Sequence, residues 1–251
     1  LASPPARQRL RAASAEPLSS LPWVALRMKT VHWQQVNDLL PQTQCTRCGF
    51  ADCAAYAQAI AQDLAPINRC PPGGQEGVRR LASLTQQEPL PLDPACGEEG
   101  PLRLAVIDET WCIGCTLCIK ACPVDCIVGA SKLMHTVIES QCTGCELCLP
   151  ACPVDCIDMR PSSPATGWDA WSASQAQASR ERYEFHQFRV SRFTRENDER
   201  LASKAQAKLA DLAAASRHTD PQVLAQKRAV IEAALERARA KKIAPAPPKD
   251  S

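Results

Sequence analysis

All 15 cysteines of this 251-residue chain fall between Cys45 and Cys156, and residues 1–44 and 157–251 contain none. A distribution of this kind lets the thiols organise the middle of the chain. Aromatic residues make up only 4% of the sequence, and they are the side chains that bury most area each, so a single large hydrophobic core is not on offer. Disulfides would require export, but residues 1–27 lack an apolar stretch followed by a small-residue cleavage site. An odd cysteine count would also leave one thiol unpaired. Metal-bound thiolates in a reducing compartment fit the pattern.

The ten cysteines from Cys112 to Cys156 belong to a repeat with a period of 30. WCIGCTLCIKACPVDCI (111–127) and QCTGCELCLPACPVDCI (141–157) share 12 of 17 positions, including every cysteine. Each copy carries C-x2-C-x2-C-x3-C-P, the run that holds cubane iron–sulfur clusters in bacterial ferredoxins, where the fourth cysteine ligates the other cluster. Three thiolates at intervals of three can wrap three irons of a cube, and the fourth iron must be reached from elsewhere. The assignment is therefore Cys112, Cys115, Cys118 and Cys152 for one cluster, and Cys142, Cys145, Cys148 and Cys122 for the other. Pro123 and Pro153 turn the chain after the crossing ligand. Gly114 and Gly144 are expected to let backbone approach inorganic sulfide. Structural zinc is the competing use of C-x2-C pairs, but it favours two separated pairs over three cysteines in series. Cys126 and Cys156 are surplus to ligation and read as small packing side chains beside the cubes.

A further group, Cys45, Cys48, Cys53 and Cys70, has the spacing C-x2-C-x4-C-x16-C and precedes Pro71, Pro72, Gly73 and Gly74. Taken alone, this spacing would also tolerate zinc. Cys96 reads as an incidental thiol. None of His32, His135, His186 and His218 lies within these motifs, and all four read as surface or packing residues. The chain has no G-x-G-x-x-G, no P-loop and no G-x-S-x-G elbow. Its residues thus suit electron carriage, with no site for hydride or group transfer.

The expected fold class is α+β: a small four-Cys iron–sulfur domain, then a pseudo-twofold dicluster ferredoxin fold, then a helical C-terminal tail. Residues 1–27 read as a disordered leader, 28–84 as the four-Cys domain, 85–101 as a Pro-rich linker, 102–160 as the dicluster domain, and 161–251 as linker and basic tail. Within these, Thr30–Leu40 is expected to be a helix capped by Thr30, with Trp33, Val36 and Leu40 on one face. A second helix is expected over about 52–63, and strands at LRLAVIDE and HTVIES. PSSPATG after Arg160 reads as a linker. In the tail, Leu201, Ala205, Leu209 and Leu212 pattern one helix. Asp220-Pro221 starts another, ended by Lys241, Lys242 and Pro245, so an antiparallel hairpin is predicted. Net charge is +2, which argues against nucleic acid as a partner. Residues 161–251 hold 16 basic and 11 acidic residues, enough to attract acidic partners or anionic lipid. No apolar run of about 18 residues occurs.

The combination LPQTQCTRCGFADCAAYAQAIAQ, INRCPPGG and CIGCTLCIKACPVDCIVGASKLMHTVIESQCTGCELCLPACPVDCI resembles the B component of the Rnf-type ion-translocating electron transport complex over about residues 30–160. The resemblance implies three [4Fe-4S] clusters, with Cys45, Cys48, Cys53 and Cys70 as ligands of the first. It also implies electron transfer at the cytoplasmic face of the bacterial inner membrane, between a soluble redox protein and Rnf-type membrane subunits. Members commonly begin with a transmembrane anchor, and the sequence shows none, so peripheral association is the expectation here. The alternatives are a free-standing ferredoxin serving another enzyme and a zinc-and-cluster scaffold.

Overall fold

The computed structural model of the protein describes residues 31–243, with side chains to residue 240. The expectations for the leader 1–27, for Thr30 and for Pro245 lie outside those residues, as do those for the side chains of Lys241 and Lys242.

The first helix, α1 (Trp33–Asp38), is shorter than the sequence suggests, because His32 occupies the N-cap and its backbone N–H donates to Gln35 Oε1 at 3.2 Å. Helix α2 (Cys53–Ala61) starts where expected. Asp52 caps it by accepting the Ala55 N–H at 2.7 Å, and Tyr56, Ala57 and Ile60 face inward. A 3-10 turn at Pro71–Gly73 leads into α3 (Gly74–Thr85), a helix the sequence pattern does not single out. Val36, Leu40, Tyr56, Ile60, Ile67, Val78 and Leu81 form one small core.

The expected linker 85–101 has little regular structure but lies against the body. The Asp93 N–H donates to the Asn68 carbonyl at 2.9 Å, and Glu99 accepts the Gln75 N–H at 2.8 Å and the Thr166 hydroxyl at 2.7 Å. Strand β1 (Pro101–Ile107) follows, then α4 (Leu117–Ala121), β2 (Ile127–Val128), β3 (Thr136–Val137) and β4 (Ile157–Thr166). β1 pairs antiparallel with β4, and β2 with β3. The two ladders repeat the sequence period: Ile107 faces Ile157 and Val137 faces Ile127, while Val106 faces Asp158 and Thr136 faces Val128. Two matching hydrogen bonds, Asp108 N–H to the Cys156 carbonyl and Ile138 N–H to the Cys126 carbonyl, both measure 2.8 Å. Ala105, Ile107, Val124, Ile127 and Ile157 pack among the cysteines as a second core.

PSSPATG is not a linker. β4 runs through it to Thr166, with Pro161 opposite Arg103 and Ser162 Oγ donating to the Leu102 carbonyl at 3.1 Å. Each ladder here has only two strands, so every strand has an open edge, where proline's missing N–H is tolerated.

After α5 (Gly167–Ala170), Ser172 caps the 38-residue helix α6 (Ala173–Ala210), accepting the Gln175 N–H at 3.2 Å. A short α7 (Leu212–Ala215) and α8 (Pro221–Ile243) complete the described chain, and α8 packs back along α6 as a hairpin with Leu209 near Leu235. The first half of α6, however, is not free: it lies on the body described above. Trp171 Nε1–H donates to the Pro41 carbonyl at 2.8 Å, Ser179 Oγ–H to the Gln42 carbonyl at 2.8 Å, and Tyr183 O–H to Asp52 Oδ2 at 3.0 Å. Among the described residues no helix is long and apolar enough to cross a membrane.

Candidate iron–sulfur centres

Three groups of thiols emerge from this fold. Cys142, Cys145 and Cys148 line one small pocket, and Cys122, from the other copy of the repeat, joins them. Cys112, Cys115 and Cys118 line a second, joined in the mirror sense by Cys152. Each pocket thus draws two thiols from the opposite copy of the repeat, Cys122 and Cys126 in the first and Cys152 and Cys156 in the second. The remaining four are brought together by the capped start of α2 and the turn at Cys70. Burial pushes the Cys53 and Cys70 thiols well up, and the nearby Cys45 and Cys48 add to it by like-charge repulsion.

The same forces act in the repeat. Burial raises Cys145 to about 11 and Cys148 to about 12, reinforced by repulsion from Cys122 and Cys142. Several desolvated thiols held this close resist ionisation together unless a cationic centre compensates them. Cys122 and Cys142 move the other way, pulled down chiefly because Cys126 hydrogen-bonds to them, while Cys126 itself is held protonated. The Cys126 sulfur lies 3.4 Å from that of Cys122, and Cys156 lies 3.5 Å from Cys152. Both extra cysteines are buried. They pack beside the crossing thiols, as compact apolar side chains do, and Cys126 adds a weak S–H donor.

Gly114 and Gly144 are required by a close backbone approach. Both sit at positive φ (+68° and +67°), and a Cβ would come within 2.5 Å of the Leu133 backbone nitrogen and 2.6 Å of the Arg103 carbonyl oxygen. Backbone crossing the ligand loop requires glycine there, in addition to any approach to sulfide. Cys96 is buried, with its Sγ 3.8 Å from Asp93 Oδ2. His135, read as packing or surface, is buried with Nδ1 3.3 Å from Cys118 Sγ. His186 packs on Asp125 at 2.8 Å, and His218 is exposed.

The loop 41–46 ties the groups to one another. Gln42, Gln44 and Thr46 all adopt positive φ (57°, 54° and 59°), a conformation that costs free energy for non-glycine residues and persists only where the surroundings fix it. Here they do. Gln44 Oε1 accepts the Cys53 N–H at 3.0 Å, and the Gln44 side chain donates to Gln42, which donates to Asn37. From the Cys142/Cys145/Cys148 group, Thr143 Oγ1–H donates to the Thr43 carbonyl at 3.0 Å and Glu146 pairs with Arg47 at 2.7 Å. The four-Cys group therefore abuts the Cys142/Cys145/Cys148 group. The Cys112/Cys115/Cys118 group lies on the other side of the repeat, bordered by exposed Trp111, Ile113, Leu133 and Met134. Among the described residues no three Cys, His, Asp or Glu side chains converge on a single ion position.

Residues 105–159 match the family described as "4Fe-4S dicluster domain", and residues 40–72 match the family described as "Putative Fe-S cluster". A protein of Cronobacter sakazakii, named as the B component of an ion-translocating oxidoreductase complex, is 54% identical over 138 residues, 55% of this chain and 71% of that protein. The chain belongs to this B-component family. Two further members, from Azoarcus sp. (strain BH72) and Thiobacillus denitrificans, are 61% identical over 105 residues and 58% identical over 121 residues. The matches cover 42% and 47% of this chain, and only 57% and 64% of those proteins. No solved structure matches. Family membership and the dicluster match together make this an iron–sulfur protein.

Proposed function

We propose that the chain holds three [4Fe-4S] clusters in a row and relays electrons between a soluble redox protein and the membrane subunits of an Rnf-type complex, working peripherally at the cytoplasmic face of the inner membrane. The observation that carries this reading is the crossed grouping of thiols, each pocket of the repeat being closed by a cysteine of the other copy. Bound there, the clusters would supply one-electron redox chemistry at low potential, roughly −400 mV or below within the broad range spanned by cysteine-ligated clusters.

The chain's own residues do the rest. The matched ladders support a pseudo-twofold dicluster fold that sets the two repeat sites back to back. The Thr43–Thr143 and Arg47–Glu146 contacts hold the four-Cys site against one end. Burial of Cys48, Cys118, Cys122, Cys142, Cys148 and Cys152 keeps water from the thiolates. The exposed apolar edge at Trp111, Ile113, Leu133 and Met134 leaves the opposite end open to a partner. Residues 105–160 carry seven acids against three bases, which disfavours adding an electron and supports the low end of the range.

Anaerobically reconstituted protein should contain about 12 iron and about 12 acid-labile sulfide per chain, three cubes of four each. About 8 of each would remove the four-Cys site from the relay. Stoichiometric zinc in that site would instead favour the scaffold alternative.

A further inference from the structure

The two repeat sites are built by nearly the same residues, so a difference between them stands out. Thirty residues before His135 stands Ala105. These two occupy equivalent places: Ala105 lines the pocket of Cys142, Cys145, Cys148 and Cys122, and His135 lines that of Cys112, Cys115, Cys118 and Cys152. One pocket has a methyl group where the other has an imidazole: in the first the Ala105 backbone N–H donates to Cys142 Sγ at 3.5 Å, and in the second a side-chain nitrogen lies against Cys118 Sγ. His135 is 1% exposed, Nδ1 lies 3.3 Å from Cys118 Sγ, and Nε2 is buried without a hydrogen-bond partner. Its ring is fixed in place, because Gly129 (φ +153°) packs against it so closely that any Cβ there would overlap Cδ2.

The tautomer follows from what is left unpaired. A buried N–H without an acceptor is rarer and costlier than a buried lone pair without a donor. With Nε2 unpartnered, the single proton of the neutral ring belongs on Nδ1, where it points at Cys118 Sγ. Hydrogen bonds to ligating sulfur stabilise the reduced, more negative form of a cluster more than the oxidised form, and so raise its potential. The four-Cys site, the Cys142 group and the Cys112 group lie in sequence, and the His135 bond falls on the last.

We propose that His135 is a positioning and tuning residue that donates Nδ1–H to Cys118 Sγ and raises the potential of the cluster of Cys112, Cys115, Cys118 and Cys152 above the value the same site would have without that bond. This rests on the ligand assignment proposed above.

The test uses the full chain, reconstituted anaerobically, with iron and zinc measured first and potentials then followed by EPR during mediated dithionite titration. His135→Leu should lower one dicluster potential by about a tenfold change in its one-electron equilibrium, which is about 59 mV, and leave the second unchanged. His135→Asn, which keeps a donor near the Nδ1 position, should stay within about threefold of the native value, on the order of half that shift. Equal potentials in the native and His135→Leu proteins, both with full iron, would overturn the proposal while leaving the ligand assignment intact. Iron below about 8 per chain, or stoichiometric zinc, would overturn the ligand assignment itself. If the leucine variant does not load, pulsed EPR of reduced native protein labelled with 15N-histidine decides. A resolved 15N coupling that His135→Asn abolishes supports the bond, and its absence from fully loaded native protein rejects it.

Discussion

Deleting residues 161–251 should abolish loading of the four-Cys site and leave a poorly soluble protein, whereas deleting residues 197–251 should leave iron content and cluster spectra unchanged. Two features of the structure separate these cuts. The first removes Trp171, which is 5% exposed; losing a buried tryptophan side chain costs about 3–5 kcal/mol. It also removes the Trp171 and Ser179 donors from the Pro41 and Gln42 carbonyls, worth about 1 kcal/mol each once water takes their place. The total is a large part of the roughly 5–15 kcal/mol that holds a domain folded. The loss falls on the strained loop 41–46, which carries Cys45. The second cut removes the outer end of α6 with α7 and α8, whose packing is on one another. Iron analysis and thermal melting of the two truncated chains check this. Normal loading after the first cut would show that the loop is fixed without its cover.

The same contacts change what the basic tail can do. As a sequence, 161–251 looks like one +5 segment free to recruit partners. In the structure Arg180 pairs with Asp38, Arg189 with Asp125 at 2.6 Å, and Arg182 donates to the Gln141 carbonyl. Most of the tail's net charge lies in residues 197–251, with 11 basic and 7 acidic residues. Attraction to anionic lipid or to an acidic partner therefore belongs to the part whose removal spares the clusters. Sedimentation with anionic vesicles should be lost in the 197–251 deletion at low salt, and in the full chain as salt rises past the point where the screening length falls to about 8 Å.

Sequence spacing points to the ligand sets because cubane geometry leaves a fixed mark: three cysteines at intervals of three, then Cys-Pro, twice. It also marks α2, the hairpin of α6 and α8, and the strand at 101–107, all of which obey local rules of capping and period. What it misses is carried by single residues acting across the chain. Ser179 in a polar helix, Trp171 after a turn and Thr143 within a ligand loop reach partners 100 to 137 residues away, and no local pattern marks such pairs. His135 is different in kind. Extending the repeat alignment upstream of the cysteines places it opposite Ala105, and a mismatch inside an otherwise faithful repeat is a signal in itself. PSSPATG misleads because proline and serine mark turns in general, while an edge strand accepts them.

Replacing Cys122 with Ser and Cys126 with Ala together should remove the cluster of Cys142, Cys145 and Cys148 and spare the one built on the other copy, taking iron from about 12 to about 8 per chain. The pairing of substitutions matters. Cys126 stands 3.4 Å from Cys122, close enough to take over the vacant ligand position, so Cys122→Ser alone should lose less iron than the double variant. The mirror pair, Cys152→Ser with Cys156→Ala, should remove the cluster of Cys112, Cys115 and Cys118, and with it the EPR signal assigned to the His135 side. The outcome separates crossed from local ligation without reference to any partner. In a local scheme Cys122 would serve the three cysteines that precede it in sequence, and the first double variant would erase the His135-side signal. The side chains stand the other way. Cys122 shares its pocket, and the Cys126 hydrogen bond, with Cys142 of the other copy, so under the proposed assignment the loss is expected across the repeat.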